Sequence, residues 1–157
     1  MIISLIAAHD PNLVIGIEGK LPWNIPEDMR HFRQRTTGNV VVMGRGVFEE
    51  LGEQPLPKRR NLVLSRSKVY SQVETCRSRE EVLEKVKNEK KIYIIGGAQI
   101  YQLFLPVSNR LEITVIHKEY VGDTFFPEYR NEIGTIWREV SKTEFKLFTF
   151  RDYDRIR

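Results

Sequence analysis

The chain has 157 residues, a formal net charge of +4 and a pI near 9.2, with 41% hydrophobic and 29% charged residues. This is one domain of ordinary size that can bury a core, and no apolar run approaches the ~20 residues of a membrane span. The single Cys76 excludes an internal disulfide, and His9, His31 and His117 lack metal-ligand spacing, so no metal site is expected.

Met1 to Ala8 carry no basic region, so no secretory signal is expected, and a reducing, cytoplasmic setting fits best. Ile2 to Ala8 is an apolar run of strand length, and Pro26 to Arg35 reads as a helix. Val40 to Met43 is a buried-strand run, Val47 to Leu51 a short helix and Leu62 to Leu64 a third strand. Arg79 to Asn88 reads as an amphipathic helix with Val82, Leu83 and Val86 inside. Ile92 to Ile95 is a strand, and Gln99 to Phe104 a helix stopped by Pro106. Leu111 to His117 alternates, and Trp137 to Val140 with Phe145 to Tyr153 reads as a final hairpin whose short loop holds Ser141 to Glu144. Unbroken β-branched runs between helices predict a mainly parallel α/β sheet, and the terminal strands predict an antiparallel edge.

The stretch Pro22-Trp23-Asn24-Ile25-Pro26-Glu27-Asp28 is the most informative. Pro26 suits the first turn of a helix. At about 100° per residue, Asp28, Met29 and Phe32 share one side, while Arg30 and Arg33 point elsewhere. A carboxylate beside Met and Phe is expensive to ionise unless something pairs with it. The plainer alternative is a surface Asp stabilising a helix N-terminus.

Two strand ends carry glycines and lead into helices: Met43-Gly44-Arg45-Gly46-Val47 and Ile95-Gly96-Gly97-Ala98-Gln99. Small residues there let backbone N–H groups approach a pyrophosphate. Neither is a dinucleotide GxGxxG or a P-loop, and tight turns alone explain a Gly-Gly. A third strand end, Leu64-Ser65-Arg66-Ser67, offers hydroxyls and a guanidinium where an acid favours NAD; an Arg favours the 2′-phosphate of NADP. Two scattered surface arginines, Arg45 and Arg66, remain the alternative.

In this order and spacing, these segments, with Val14-Ile15-Gly16, Pro55 to Asn61 and Gly122 to Pro127, resemble bacterial dihydrofolate reductases over essentially the whole length. The resemblance implies a single domain over 1–157, with an adenosine-binding subdomain at roughly 39–89. It implies a central, mainly parallel eight-stranded sheet with an antiparallel C-terminal edge strand, flanked by helices. The implied reaction is NADPH-dependent reduction of 7,8-dihydrofolate to tetrahydrofolate, supporting one-carbon and thymidylate metabolism.

By the same resemblance Asp28 bonds the pterin N3 and 2-amino edge, assisted by the Thr114 hydroxyl. Ile6, Ala7, Met29, Phe32, Leu51 and Leu56 line the folate pocket, and Arg59 pairs with the glutamate α-carboxylate. Trp23, by packing or by holding a water near Asp28, and Leu21, where many relatives have Met, complete the catalytic group. Ala8, Ile15, Gly16, Ile95, Gly96, Gly97 and Tyr101 are implied at the nicotinamide half of NADPH. Gly44, Arg45, Gly46, Val47, Leu64, Ser65, Arg66, Ala98, Gln99 and Ile100 are implied along the rest of the cofactor. In the family the Gly96–Gly97 bond is cis, and residues 16–24 form a mobile loop over the nicotinamide.

The chain departs from the family in several places. Val47 lacks the hydroxyl of the usual Thr beside the pyrophosphate. Glu50 replaces a small polar residue near the folate mouth and repels an anionic tail unless it points away. Glu53-Gln54 lengthens the following loop. Asp123 is retained, so docking of the mobile loop on the Gly122-Asp123 turn is expected. Substrate and antifolate inhibitors are the expected partners of a monomer, with no nucleic acid and no membrane. Two alternatives are an NADPH-dependent pyrimidine reductase of riboflavin biosynthesis and a basic nucleic-acid-binding domain using Lys58, Arg59, Arg60, Arg66 and Lys68. Neither calls for Asp28.

Overall fold

The run Val40–Met43 is apolar throughout because both of its sides are covered. In the computed structural model, which describes residues 1–157, it forms strand β3 (Val40–Gly44). Val40 and Val42 enter one core cluster, Val41 and Met43 another. The same alternation divides Leu62 and Leu64 from Val63 on β4 (Arg60–Leu64), and Ile92 and Ile94 from Tyr93 on β6 (Lys91–Gly96). A strand covered on both faces keeps no polar side, so its sequence loses the period of two.

The remaining strands are β1 (Ile2–His9), β2 (Val14–Gly16), β5 (Glu74–Cys76), β7 (Arg110–Ile116), β8 (Thr124–Phe125), β9 (Trp137–Glu144) and β10 (Phe148–Arg155). Eight form one sheet in the order β5-β4-β3-β6-β1-β7-β10-β9; β2 and β8 pair separately. All pairs from β5 to β7 are parallel, and β10 runs antiparallel to β7. The C-terminal strand is thus antiparallel, but β9 takes the edge outside it. The hairpin turn supplies the reason: β9 and β10 are joined by only Phe145–Leu147, so β9 must lie beside β10. Ser141–Glu144 therefore belong to a strand and not to the loop.

The helices are α1 (Pro26–Thr36), α2 (Arg45–Glu50), α3 (Arg79–Lys85) and α4 (Ala98–Phe104). α3 starts where Ser78 accepts a hydrogen bond from the Glu81 N–H at 3.1 Å. It ends at Lys85, short of Asn88, because the chain turns back there to enter β6. Val82 and Val86 are fully buried nonetheless, each burial contributing about 1.5–3 kcal/mol relative to exposure. Beyond α4, Pro106 sits in a 3₁₀ turn, Leu105–Val107. The three strands that sequence reading missed, β2, β5 and β8, have two or three residues each, too few to show a period.

Helix α1 lies along β7 and β10, fastened at three points. Thr114 and Glu112 on β7 stand opposite Phe150 and Asp152 on β10. Asp28 meets Thr114, His31 stacks on Phe150 with ring centroids 3.8 Å apart, and Arg35 pairs with both Glu112 and Asp152. Residues 28, 31 and 35 fall on one helix face, so a single orientation of α1 satisfies all three.

Candidate active site

Strands β1, β3, β4 and β6 point their carboxyl ends the same way, and the cavities open there. The first holds about 220 Å³. Asp28 and Thr114 form one wall, with the Thr114 hydroxyl donating to Asp28 Oδ1 at 2.7 Å. Apolar side chains make up most of the rest: Ile6, Phe32, Leu51, Leu56 and Ile95, with Ala7, Met29 and Leu21 beside them. Burial raises the Asp28 carboxyl above the ordinary carboxylate range, and the Thr114 bond pulls it part of the way back. The apolar chamber thereby favours the neutral carboxyl more than water does. His31 and Tyr101 also line the chamber, and His31 was not anticipated there; its only signal was its place one turn beyond Asp28.

A second cleft adjoins the first. Its larger half, about 830 Å³, is lined by Gly44, Arg45, Gly46, Leu64, Ser65, Arg66, Ala98, Gln99 and Ile100. Its smaller half, about 250 Å³, is lined by Ala8, Ile15, Gly16, Ile95, Gly96 and Tyr101. Val47, Glu50, Gly97 and Thr124 line both halves, so the two are continuous. Arg66 is exposed and free of any carboxylate, whereas Arg45 reaches Glu49 at 3.4 Å. A Cβ at Gly44 would come within 2.9 Å of the Ile100 side chain, so glycine keeps the strand end narrow. The Gly96–Gly97 bond is cis, and the Tyr101 hydroxyl donates to the Ile6 carbonyl at 2.7 Å, tying α4 to β1. Serines and an unpaired guanidinium at one end, with small and aromatic residues at the other, fit a phosphorylated dinucleotide.

A profile of the dihydrofolate reductase family matches residues 2–155. The chain belongs to that family. It is 41% identical to the type 3 dihydrofolate reductase of Salmonella typhimurium over 145 residues, covering 91% of this chain and 87% of that one. It is 43% identical to the Haemophilus influenzae dihydrofolate reductase over 129 residues, 82% and 80% of the two chains. Among solved structures, it matches Enterococcus faecalis dihydrofolate reductase complexed with NADP(H) and RAB-propyl. That match has a TM-score of 0.89 at 32% identity and covers 99% and 97% of the chains.

Two residues singled out for this reductase, Arg59 and Trp23, lie outside both cavities, and a third, Glu50, lines the second cleft and not the folate chamber. Arg59 lies outside the Asp28 chamber, on a neighbouring groove with Pro55 and Asn61. Its Nη1 donates to Thr36 Oγ1 and its Nε to the Pro57 carbonyl, both at 2.9 Å. Those bonds orient the guanidinium and leave Nη2 free. Trp23 lines neither cavity; it packs with Ile25, Ile116 and Phe148, and its indole N–H is buried without a protein acceptor. Glu50 turns away from the folate side and faces the second cleft, which removes the expected conflict with an anionic tail.

The loop after β2 is pinned at its base. The Asp123 N–H donates to the Gly16 carbonyl, and the Glu18 N–H donates to Asp123 Oδ2, each at 3.0 Å. Beyond it, Ile17 and Lys20 exchange two backbone bonds around a two-residue turn in which Glu18 and Gly19 both have positive φ. Gly122 is boxed in: a Cβ would sit 2.2 Å from Val14 Cγ1 and 2.8 Å from the Gly16 carbonyl. Gly122→Ala is therefore expected to push β2 and the loop outward. Hydride transfer measured in a single turnover should fall by up to about 10²-fold, as misplacements near 1 Å do. An unchanged rate would show that the turn does not hold the loop in place.

Proposed function

We propose that the chain reduces 7,8-dihydrofolate to tetrahydrofolate, taking the hydride from NADPH and supplying the setting in which pterin N5 is protonated. One observation carries this reading. A lone carboxyl, raised by burial and fixed by Thr114, closes an apolar chamber that abuts a dinucleotide-sized cleft. NADPH supplies the hydride when bound. Asp28 accepts from the pterin N3 and 2-amino edge and biases the ring towards its protonated form. Ile6, Ala7, Met29, Phe32, Leu51 and Leu56 hold the ring and exclude water, with Leu21 closing from the loop. Ala8, Gly96, Gly97 and Tyr101 receive the nicotinamide half, and Arg45, Ser65 and Arg66 the phosphates of the adenosine half. Trp23 braces the segment that leads into α1.

The basic run at residues 58–60 favours this small-molecule reading over a nucleic-acid surface. Arg60 is spent on Glu74 and Glu89, and Arg59 is oriented by Thr36. The free edge of Arg59 suits the glutamate α-carboxylate. Arg59→Met should raise the KM for dihydrofolate about 10–10²-fold, the worth of a charge-assisted pair, with the KM for NADPH unchanged. Equal KM values for dihydrofolate would remove Arg59 from the substrate site. We place the enzyme in the cytoplasm as a monomer; the buried free thiol of Cys76 suits a reducing compartment. Following NADPH absorbance on addition of dihydrofolate tests the reaction itself. Tight NADPH binding without turnover would assign the site to another reductase chemistry.

A further inference from the structure

Two departures from the family pattern meet at one place. Val47 and Glu50 stand three residues apart on α2, and both line the neck between the halves of the second cleft, opposite Gly97 and Thr124. Glu50 is the only charged residue of the four. Its carboxylate has no ion-pair or hydrogen-bond partner; burial is the one influence on it. A carboxylate oxygen of Glu50 lies 3.6 Å from the place a Cβ would take on Gly19, so it also faces the loop. Across the neck, the Thr124 hydroxyl already donates to Asp123 Oδ1 at 2.8 Å.

An ionised carboxylate accepts hydrogen bonds and donates none. At a neck threaded by a dinucleotide it is repelled by phosphates and satisfied by vicinal hydroxyls, the pairing acidic residues make with ribose elsewhere. The cations and serines lie in the larger half and the small and aromatic residues in the smaller half. The sugar joining pyrophosphate to nicotinamide falls between them. We infer that Glu50 is a cofactor-binding residue that accepts hydrogen bonds from the hydroxyls of the nicotinamide-side ribose. It thereby adds a cofactor contact one turn along α2 from Val47, at a different group from the pyrophosphate that the missing hydroxyl would have met. This rests on the NADPH reading above.

The test measures dissociation constants by quenching of intrinsic fluorescence, with three probes. NADPH and 2′-phospho-ADP-ribose carry the second ribose; 2′,5′-ADP does not. Glu50→Ala should weaken the first two by about tenfold or more, the loss of a charge-assisted bond, and leave 2′,5′-ADP unchanged. Glu50→Gln, which keeps one acceptor oxygen, should fall between. Unchanged or tighter binding of NADPH by Glu50→Ala overturns the assignment. So does an equal loss for 2′,5′-ADP, which would mean that Glu50 shapes α2 and not the sugar site. Failure of the unaltered chain to bind NADPH would overturn the underlying reading, and is seen separately in the same titration.

Discussion

Asp28→Asn is expected to cut dihydrofolate reduction at neutral pH by about 10²–10⁴-fold, the usual worth of a positioned acid–base group. The substitution is nearly isosteric and can still accept the Thr114 bond, so the geometry survives while the charge and the proton are lost. A carboxylate accepts from both donors of the pterin edge, whereas an amide accepts from one and sets its own NH₂ against the other. In the unaltered enzyme, hydride transfer should decline as pH rises through the Asp28 pKa, which burial holds above the ordinary value. The variant should lose that titration. Single-turnover rates from pH 5 to 9 decide the matter; a flat profile for the unaltered enzyme would contradict the role of Asp28.

The same carboxyl should lower stability. Its folded-state pKa is raised, so between the unfolded value and the folded one the native state holds the extra proton. Stability attributable to Asp28 is complete below the unfolded pKa and is lost as pH rises through the folded one. Asp28→Asn is therefore expected to melt higher than the unaltered chain at pH 7, a gain in stability at the cost of function.

Arg35→Met should produce the largest loss of stability. The Glu112 side chain is fully buried, and Arg35, Lys91, Ser4 and Tyr93 all act on it. Asp152 adds a second carboxylate beside Arg35, so two acids are balanced by two cations. Burial alone would push the Glu112 carboxyl up. The bonds from Ser4 and Arg35, with the charges of Lys91 and Arg35, outweigh it and hold the carboxyl below its ordinary value. Removing Arg35 leaves Lys91 to balance two acids. Breaking a buried pair from one side costs about 3–5 kcal/mol; partial exposure of Arg35 puts this case near 3. That corresponds to a fall in Tm of about 6–12 °C.

The pH dependence follows from the lowered Glu112 pKa. Its contribution is present above the unfolded value and is lost as pH falls through the folded one. Arg35→Met should flatten or reverse that acid slope, and adding Glu112→Gln should recover much of the loss. Melting curves between pH 3 and 7 check this. Equal Tm values for Arg35→Met and the unaltered chain would show that Lys91, Ser4 and Tyr93 suffice for Glu112.

Much of this was legible in the chain itself. The apolar runs at β1, β3, β4 and β6, the helix from Pro26 and the glycine turns after β3 and β6 carry local signals of period, capping and steric need. A sequence reports such properties because they depend on neighbours within one or two turns. The pairing of β9 with β10, the short β2 and β8, the balance of Arg35 against Glu112, and the direction Glu50 faces were decided only by tertiary structure. Each depends on residues far apart in sequence: Arg35 and Glu112 are 77 positions apart, and Glu18 and Asp123 are 105 apart. Burial has the same origin. Asp28 next to Met29 is only a polar residue by an apolar one until β7 brings Thr114 against it and the chamber closes. Desolvation is a property of everything that surrounds a group, and no local pattern encodes it.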